Sequence, residues 1–365
     1  MGAARNRIDY LDGIRALAIL SVVALHWTQP ESLPVLKGGY IGVDLFLVLS
    51  GYLISRILWR SKPGRMLAVY GGFLKRRFLR LYPALLGMLA VVTPLAFLAW
   101  GVSDGMKAAY RAVLAALQLT SVVAVLNLGS TTPFEQTWTL GWEWYFYLGW
   151  PLVLLAVRGR GVSALRVAVW SAVVGVALYL LSAVFMSAAV MYYGPLGRFS
   201  QLLLGSALGL LFLARPEPLR IGRGVRGVLM GSAVALFVAW TVFGPTEHDR
   251  LYGVLGFPLA TLCGLVLVAV GYRREGDTVP RALSWAPVRS VGLWSYSIYL
   301  WHLPLLRIVQ GPKFGVPSPL AVLAVAVATV VLSWLSYRFL EKRFLVGREP
   351  VREGAPSHRE GTPAR

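Results

Sequence analysis

The stretch ALRVAVWSAVVGVALYLLSAVFMSAA, residues 164–189, holds one charged side chain, Arg166. Twenty-six residues as a helix reach about 39 Å at 1.5 Å per residue. That is enough to cross the roughly 30 Å hydrocarbon core of a bilayer. Working outward, similar apolar blocks recur along the chain, at about 11–29, 39–58, 82–101, 138–157, 197–213, 227–243, 252–271, 288–310 and 319–340. With 164–189 they make ten spans. The first is not a cleaved signal, because Asp12 and Arg15 interrupt its start and no small-residue cleavage site follows. Pro30 ends it, and Gly38-Gly39 open the next turn.

Composition agrees. Hydrophobic residues make up 57% of the 365, charged residues 14%, and the mean hydropathy is +0.64. A soluble chain carries about 25% charged residues. Too little charge remains to coat a water-facing surface, which excludes a soluble enzyme, a disordered chain and a coiled coil. The sequence therefore predicts an all-α polytopic membrane protein with about ten transmembrane helices. The single cysteine, Cys263, sits in an apolar run, which excludes disulfides and cysteine metal clusters.

The formal net charge is +20. Lys and Arg collect in the cytoplasmic loops of membrane proteins, and no nucleic-acid-binding motif accompanies them. Nucleic acid is not an expected partner. With ten spans, 28 basic residues fall in the segments on the side of the N-terminus and 7 on the other side. That asymmetry predicts that both termini are cytoplasmic, in a plasma membrane. It also decides an ambiguous segment. Residues 108–128 form a further apolar run, but an eleventh span there would place the later basic loops on the wrong side. An amphipathic or re-entrant helix on the outer side is expected instead. Residues 1–346 read as the transmembrane domain and 347–365, polar with Pro and Gly, as a disordered cytoplasmic tail.

Ionisable groups inside spans are costly and therefore informative. Span 1 carries Arg15 and His26, span 2 Asp44, span 4 Glu143 and span 9 His302. Singly, each has a bland explanation: a His in packing, a carboxylate paired to an Arg, an Arg snorkelling to the interface. Together, two imidazoles and two carboxylates are expected to converge in the outer half of the bilayer, with Arg15 about 16 Å deeper than His26. No HExxH or i,i+4 His pair occurs, so no metal site is expected.

At these residues the chain resembles the acyltransferase family 3 membrane proteins, which O-acylate sugars and other hydroxyl-bearing molecules. Tyr10-Leu11-Asp12-Gly13-Ile14-Arg15 leading to His26 resembles the family's Arg-x10-His motif. The run Gly42-Val43-Asp44-Leu45-Phe46 through Ser50-Gly51-Tyr52 resembles its second motif. Arg76-Arg77-Phe78-Leu79-Arg80-Leu81-Tyr82-Pro83 is similar to its basic turn. Trp138-Thr139-Leu140-Gly141-Trp142-Glu143 with Phe146-Tyr147, and Ser295-Tyr296-Ser297-Ile298-Tyr299-Leu300-Trp301-His302, resemble two further blocks. Thr139 replaces the usual Ser, and Trp144 stands where a second Glu is common. The extracytoplasmic hydrolase-like domain fused to some members is not expected here.

The resemblance implies an acyltransferase acting on groups other than amino-acyl groups. It would transfer an acyl group, acetyl by default, from acyl-CoA as co-substrate to a hydroxyl of a sugar, cell-surface glycan, glycolipid or glycosylated natural product, with no bound cofactor. His26 would act as general base or as acyl carrier, with Glu143 or Asp44 orienting it. Arg15, Arg76, Arg77 and Arg80 would meet the donor's phosphates. Ser50, Trp138, Tyr147, Tyr299 and His302 are further candidates. The alternative of another class is a proton-coupled transporter or flippase for a glycan or lipid-linked precursor, using Asp44, Glu143 and His26 as a relay.

Overall fold

A computed structural model describes residues 9–28, 35–61, 65–274, 276–311 and 318–345. Among these residues the chain is helical, with no strand. The expected tail, 347–365, lies outside the described residues.

Each of the ten expected spans is a helix. They are α1 (Asp9–Trp27), α2 (Ile41–Trp59), α3 (Met66–Trp100), α6 (Trp138–Gly159), α7 (Ala164–Phe185), α9 (Pro195–Ala214), α10 (Arg223–Phe243), α11 (Phe257–Gly271), α13 (Ala286–Val309) and α14 (Pro319–Ser336). Among the described residues eight helical stretches are long and apolar enough to cross a membrane. The other two, α6 and α13, are long enough but less apolar, because Glu143, His302, Arg307 and a run of Trp and Tyr lie within them. Large aliphatic side chains of α7, α10 and α14, among them Val173, Val184, Val228, Leu323 and Val327, face outward. Such a surface suits lipid. The helices satisfy their backbone groups internally, as hydrocarbon requires. This is an all-α, multi-pass membrane protein.

Contacts fix the relative directions. Asp12 O lies against Gly292 and His26 against His302, so α1 and α13 run the same way. The carbonyls of Val48 and Tyr52 on α2 face Gly205 and Gly209, so α2 and α9 also run together. Ala18 O faces Gly42 and Ser21 O faces Gly39, just before α2, which makes α1 and α2 antiparallel. The alternation expected of ten spans is preserved throughout these pairs. Lipid tails are as apolar as leucine, so close packing and hydrogen bonds must hold the helices together. A Cβ on Gly51 would lie 1.9 Å from Leu202 O, and one on Gly205 2.1 Å from Val48 O. Only glycine admits the α2–α9 approach at these two levels.

Two expectations need correction. The third span was placed at 82–101, with the basic run before it in a loop. In fact α3 is one helix of 35 residues from Met66, about 52 Å long. Its basic first half is an extension of the transmembrane helix. The ambiguous segment 108–128 is split into α4 (Val102–Ala116) and α5 (Thr120–Val125), each too short to span. Gly101, at φ 88°, turns the chain back, and Gly105 packs on Phe97, so α4 returns against the end of α3. This layer lies over the end of the bundle that holds His26 and His302. It is tied there by Arg307 Nε donating to Glu135 Oε1 at 3.0 Å and by Gln136 Nε2 donating to Leu300 O at 3.0 Å. The short α8 (Ala188–Tyr193) and α12 (Thr278–Leu283), the 3-10 turns Lys37–Tyr40 and Glu135–Thr137 and the π-helical turn Tyr252–Gly256 complete the element order, followed after α14 by a second π-helical turn, Tyr337–Glu341, and α15 (Lys342–Leu345).

Candidate active site

Helix α2 determines the layout, because its two faces do different work. At 100° per residue, Asp44, Val48, Gly51 and Tyr52 fall on a stripe against α9, while Val43, Phe46, Leu47, Ser50 and Leu53 fall on another. The second stripe lines a cleft. Arg15 of α1, Arg77 and Arg80 of α3, Thr139, Glu143 and Tyr147 of α6, and Tyr299 of α13 supply its polar lining.

Glu143 is held at the middle of this cleft. Ser50 Oγ donates to its Oε1 at 2.8 Å and Tyr147 O–H to its Oε2 at 2.8 Å. Tyr147 lies one helical turn after Glu143, so both bonds come from neighbours that the sequence already placed in motifs. The Arg77 guanidinium lies over the Tyr147 ring at 5.2 Å and the Phe73 ring at 5.5 Å. Arg15 Nε donates to Ser295 Oγ at 3.1 Å. Arg80 Nε is buried with no hydrogen-bond partner among the described residues. Three guanidinium groups thus share one cleft with one carboxylate. Arg76 points away: it is exposed, as is Lys75, and neither lines the cleft.

At one end the cleft closes on Tyr299. Its O–H donates to Gln136 O at 2.5 Å and lies 2.8 Å from Thr139 Oγ1. Three residues on, the same helix carries His302, fully buried. His302 Nε2 is 3.0 Å from His26 Nδ1, and His302 Nδ1 lies 2.9 Å from Tyr299 O and 3.1 Å from Ile298 O. His26 is half-buried. The two imidazoles, 276 residues apart in sequence, form one unit beyond the Tyr299 end of the cleft.

Asp44 does not join them. Glu143 is level with Ser50, six residues or about 9 Å along α2 from Asp44, so the two carboxylates are at different depths. Asp44 also faces the other way. Its Oδ1 accepts from Arg198 Nη1 at 2.5 Å, and Tyr252 O–H lies 3.1 Å away. Asp44 and Arg198 are both completely buried. Tyr192, Phe257 and Trp138 surround the Arg198 guanidinium at 4.9, 5.7 and 5.9 Å from their ring centres. Trp138 therefore belongs to this closed cluster and not to the cleft. The expected convergence of four groups is in fact a His pair, a glutamate on a cleft, and an internally paired aspartate.

Two residues were missed by the sequence reading. Arg198, the second residue of an expected span, is the counter-ion of Asp44; an unpaired intramembrane carboxylate was the signal to look for one. Glu341 accepts from Ser297 Oγ and is buried. It sits one residue past the expected end of the last span, on the π-helical turn, where Arg15 and Arg80 are its nearby cations. Among the described residues no group of three His, Cys, Asp or Glu side chains is arranged to hold a metal ion.

A polytopic helical fold with a basic cleft, a held carboxylate and a histidine pair defines a membrane protein with the equipment for group transfer. The chain matches the family described as acyltransferase domain over residues 8–338 and belongs to it, as the resemblance to acyltransferase family 3 implied. It is 31% identical to the peptidoglycan O-acetyltransferase OatA of Listeria monocytogenes, over 93% of this chain and 56% of that protein. It is 29% identical to the putative peptidoglycan O-acetyltransferase YrhL of Bacillus subtilis, over 92% and 54%. Against the putative membrane-bound transacylase BcsY of Komagataeibacter xylinus the figures are 31%, 95% and 86%. The chain spans about half the length of the first two relatives. No solved structure matches it.

Proposed function

We propose that this protein is a membrane-bound O-acyltransferase that moves an acyl group, acetyl by default, from acyl-CoA to a hydroxyl of a glycan or other sugar-bearing acceptor. The observation that carries this is the single cleft joining Arg15, Arg77 and Arg80 to Glu143 and ending at Tyr299, whose helix presents His302 to His26. Coenzyme A is a polyanion. Guanidinium groups bind phosphate through paired hydrogen bonds, and Arg77 and Arg80 stand at the basic end of the cleft. The apolar stripe of α2 suits the donor's arm and acyl group. In the reaction His26 takes the proton of the acceptor hydroxyl, whose oxygen attacks the thioester carbonyl carbon. The carbon–sulfur bond breaks, and the coenzyme leaves as the thiol once that proton is returned to sulfur. Glu143, held by Ser50 and Tyr147, stands among the cations of the cleft.

In this reading the basic end faces the cytoplasm, both termini are cytoplasmic, the membrane is the bacterial plasma membrane, and the acceptor is met near the His26 end. The names of the relatives favour a cell-wall glycan as acceptor. A proton-relay transporter is less well served, because Asp44 is tied to Arg198 and separated from Glu143 and His26. The test is mass spectrometry of cell-wall glycans and metabolites with and without the gene, paired with transfer of labelled acetyl from acetyl-CoA by the purified full chain. A mass difference of one acyl group and label transfer are expected. Intact export of an unmodified glycan with no label transfer would overturn the reading.

A further inference from the structure

We infer that His302 is a positioning residue that fixes the tautomer of His26, leaving Nε2 of His26 as the basic nitrogen. The inference rests on the acyltransferase reading above and adds to it which nitrogen acts and what holds it.

The argument follows from donor and acceptor inventory. A backbone carbonyl only accepts. His302 Nδ1 lies 2.9 Å from Tyr299 O and 3.1 Å from Ile298 O, so in the neutral ring Nδ1 carries the proton. A neutral imidazole has one N–H and one lone pair, so His302 Nε2 carries the lone pair. His26 Nδ1 lies 3.0 Å from that lone pair and must donate to it. The lone pair of His26 is then on Nε2, the nitrogen turned away from His302. His302 itself is completely buried and has both nitrogens engaged, so it cannot serve as the base. His26 is half-buried. When His26 Nε2 takes a proton, its Nδ1–H still points at a neutral acceptor, so the cation formed in the reaction keeps its hydrogen bond. This is the orienting role that a carboxylate plays in a catalytic triad, here supplied by a neutral ring whose own orientation is set by the helix backbone of α13.

The neighbouring contacts keep the arrangement in place. Trp27 Nε1 donates to His302 O at 3.4 Å, so α1 and α13 are joined at the next residue as well. The positive group nearest the pair, Arg307, is turned to Glu135 at 3.0 Å and to Gln310 at 3.0 Å. Among the described residues no carboxylate is hydrogen-bonded to either ring, and the Val22 carbonyl, one turn before His26, is a further acceptor for its ring. A second imidazole is thus the side-chain acceptor that fixes the tautomer.

The chain has four histidines, so ¹⁵N-histidine labelling of the full-length protein gives a spectrum that single substitutions assign. The expected result is a protonated, pyrrole-type Nδ1 and a bare, pyridine-type Nε2 on His26. His302→Leu removes the acceptor and should let His26 take the other tautomer; kcat should fall about 10²-fold, within the 10²–10⁴-fold that a positioned base contributes, while KM for the acyl donor is unchanged. His302→Gln places an amide oxygen near the position of Nε2 and should restore both the wild-type tautomer and kcat to within about tenfold. A bare Nδ1 on wild-type His26, or the same tautomer and kcat in His302→Leu as in wild type, would overturn the inference. His26→Ala with full turnover would instead sink the acyltransferase mechanism, whatever the spectrum shows.

Discussion

Helix α2 meets charge on two faces, and the two faces have opposite character. Towards α9 and α11, Asp44 is matched by Arg198 and Tyr252, closed in by aromatic rings and completely buried. Towards α3 and α6, Ser50 supports Glu143 beside an open cleft where three arginines have no carboxylate bonded directly to them. The first face pairs its carboxylate directly with a guanidinium, although Arg198 Nε keeps no hydrogen-bond partner among the described residues. The second gathers three guanidinium groups near Glu143 and Glu341, but among the described residues none is hydrogen-bonded to a carboxylate. An ionisable residue in the membrane is thus a reason to look for function, but it is a direct counter-ion, as against an open cleft, that separates a fastening from a binding site.

The comparison is broken most severely at the closed cluster. Asp44→Ala leaves Arg198 buried and unpaired, a change that typically costs about 3–5 kcal/mol. Thermal unfolding in detergent should show that loss. The paired replacement Asp44→Leu with Arg198→Met should recover most of it and keep acyl transfer measurable; loss of transfer in this stable double variant would move Asp44 into the catalytic machinery.

At the open cleft the order of effects reverses. Glu143→Gln preserves shape and the bonds from Ser50 and Tyr147, so stability should hold while kcat falls about 10²-fold, in the range of an electrostatic contribution. An unchanged kcat would reduce Glu143 to a packing residue. Arg80→Gln and Arg77→Gln each remove a charged donor worth about 1.5–3 kcal/mol, so KM for acyl-CoA should rise roughly ten- to a hundredfold. Arg76→Gln, on the exposed face of the same helix, should change KM less than about twofold. Equal effects at Arg76 and Arg80 would mean that the cluster acts only through its overall charge.

The fold was largely legible because hydrocarbon thickness imposes a length on each apolar block, and ten blocks became ten helices. The bounds of α3 were not, because a charged helix extending out of the membrane has the composition of a loop. At the site, motif order identified Glu143, Ser50, Tyr147, Tyr299 and His302, and the structure brings the first four to one cleft. The separation of Asp44 was readable in principle from its stripe on α2, where it shares a face with Gly51 and not with Ser50. Its partner Arg198 and the buried Glu341 escaped because both lie at the edge of a span, where charge looks interfacial. The pairing of His26 with His302 depends on α1 and α13 lying side by side, which no local pattern encodes.

The central claim is that the cleft delivers an acyl donor to His26. The most direct measurement is transfer of labelled acetyl from acetyl-CoA to a glycan acceptor by the purified full-length protein, wild type against His26→Ala, both inserted and monodisperse. A loss of at least about 10²-fold in turnover is predicted, since a positioned base contributes about 10²–10⁴-fold. A His26→Ala protein turning over at close to the wild-type rate would contradict the account.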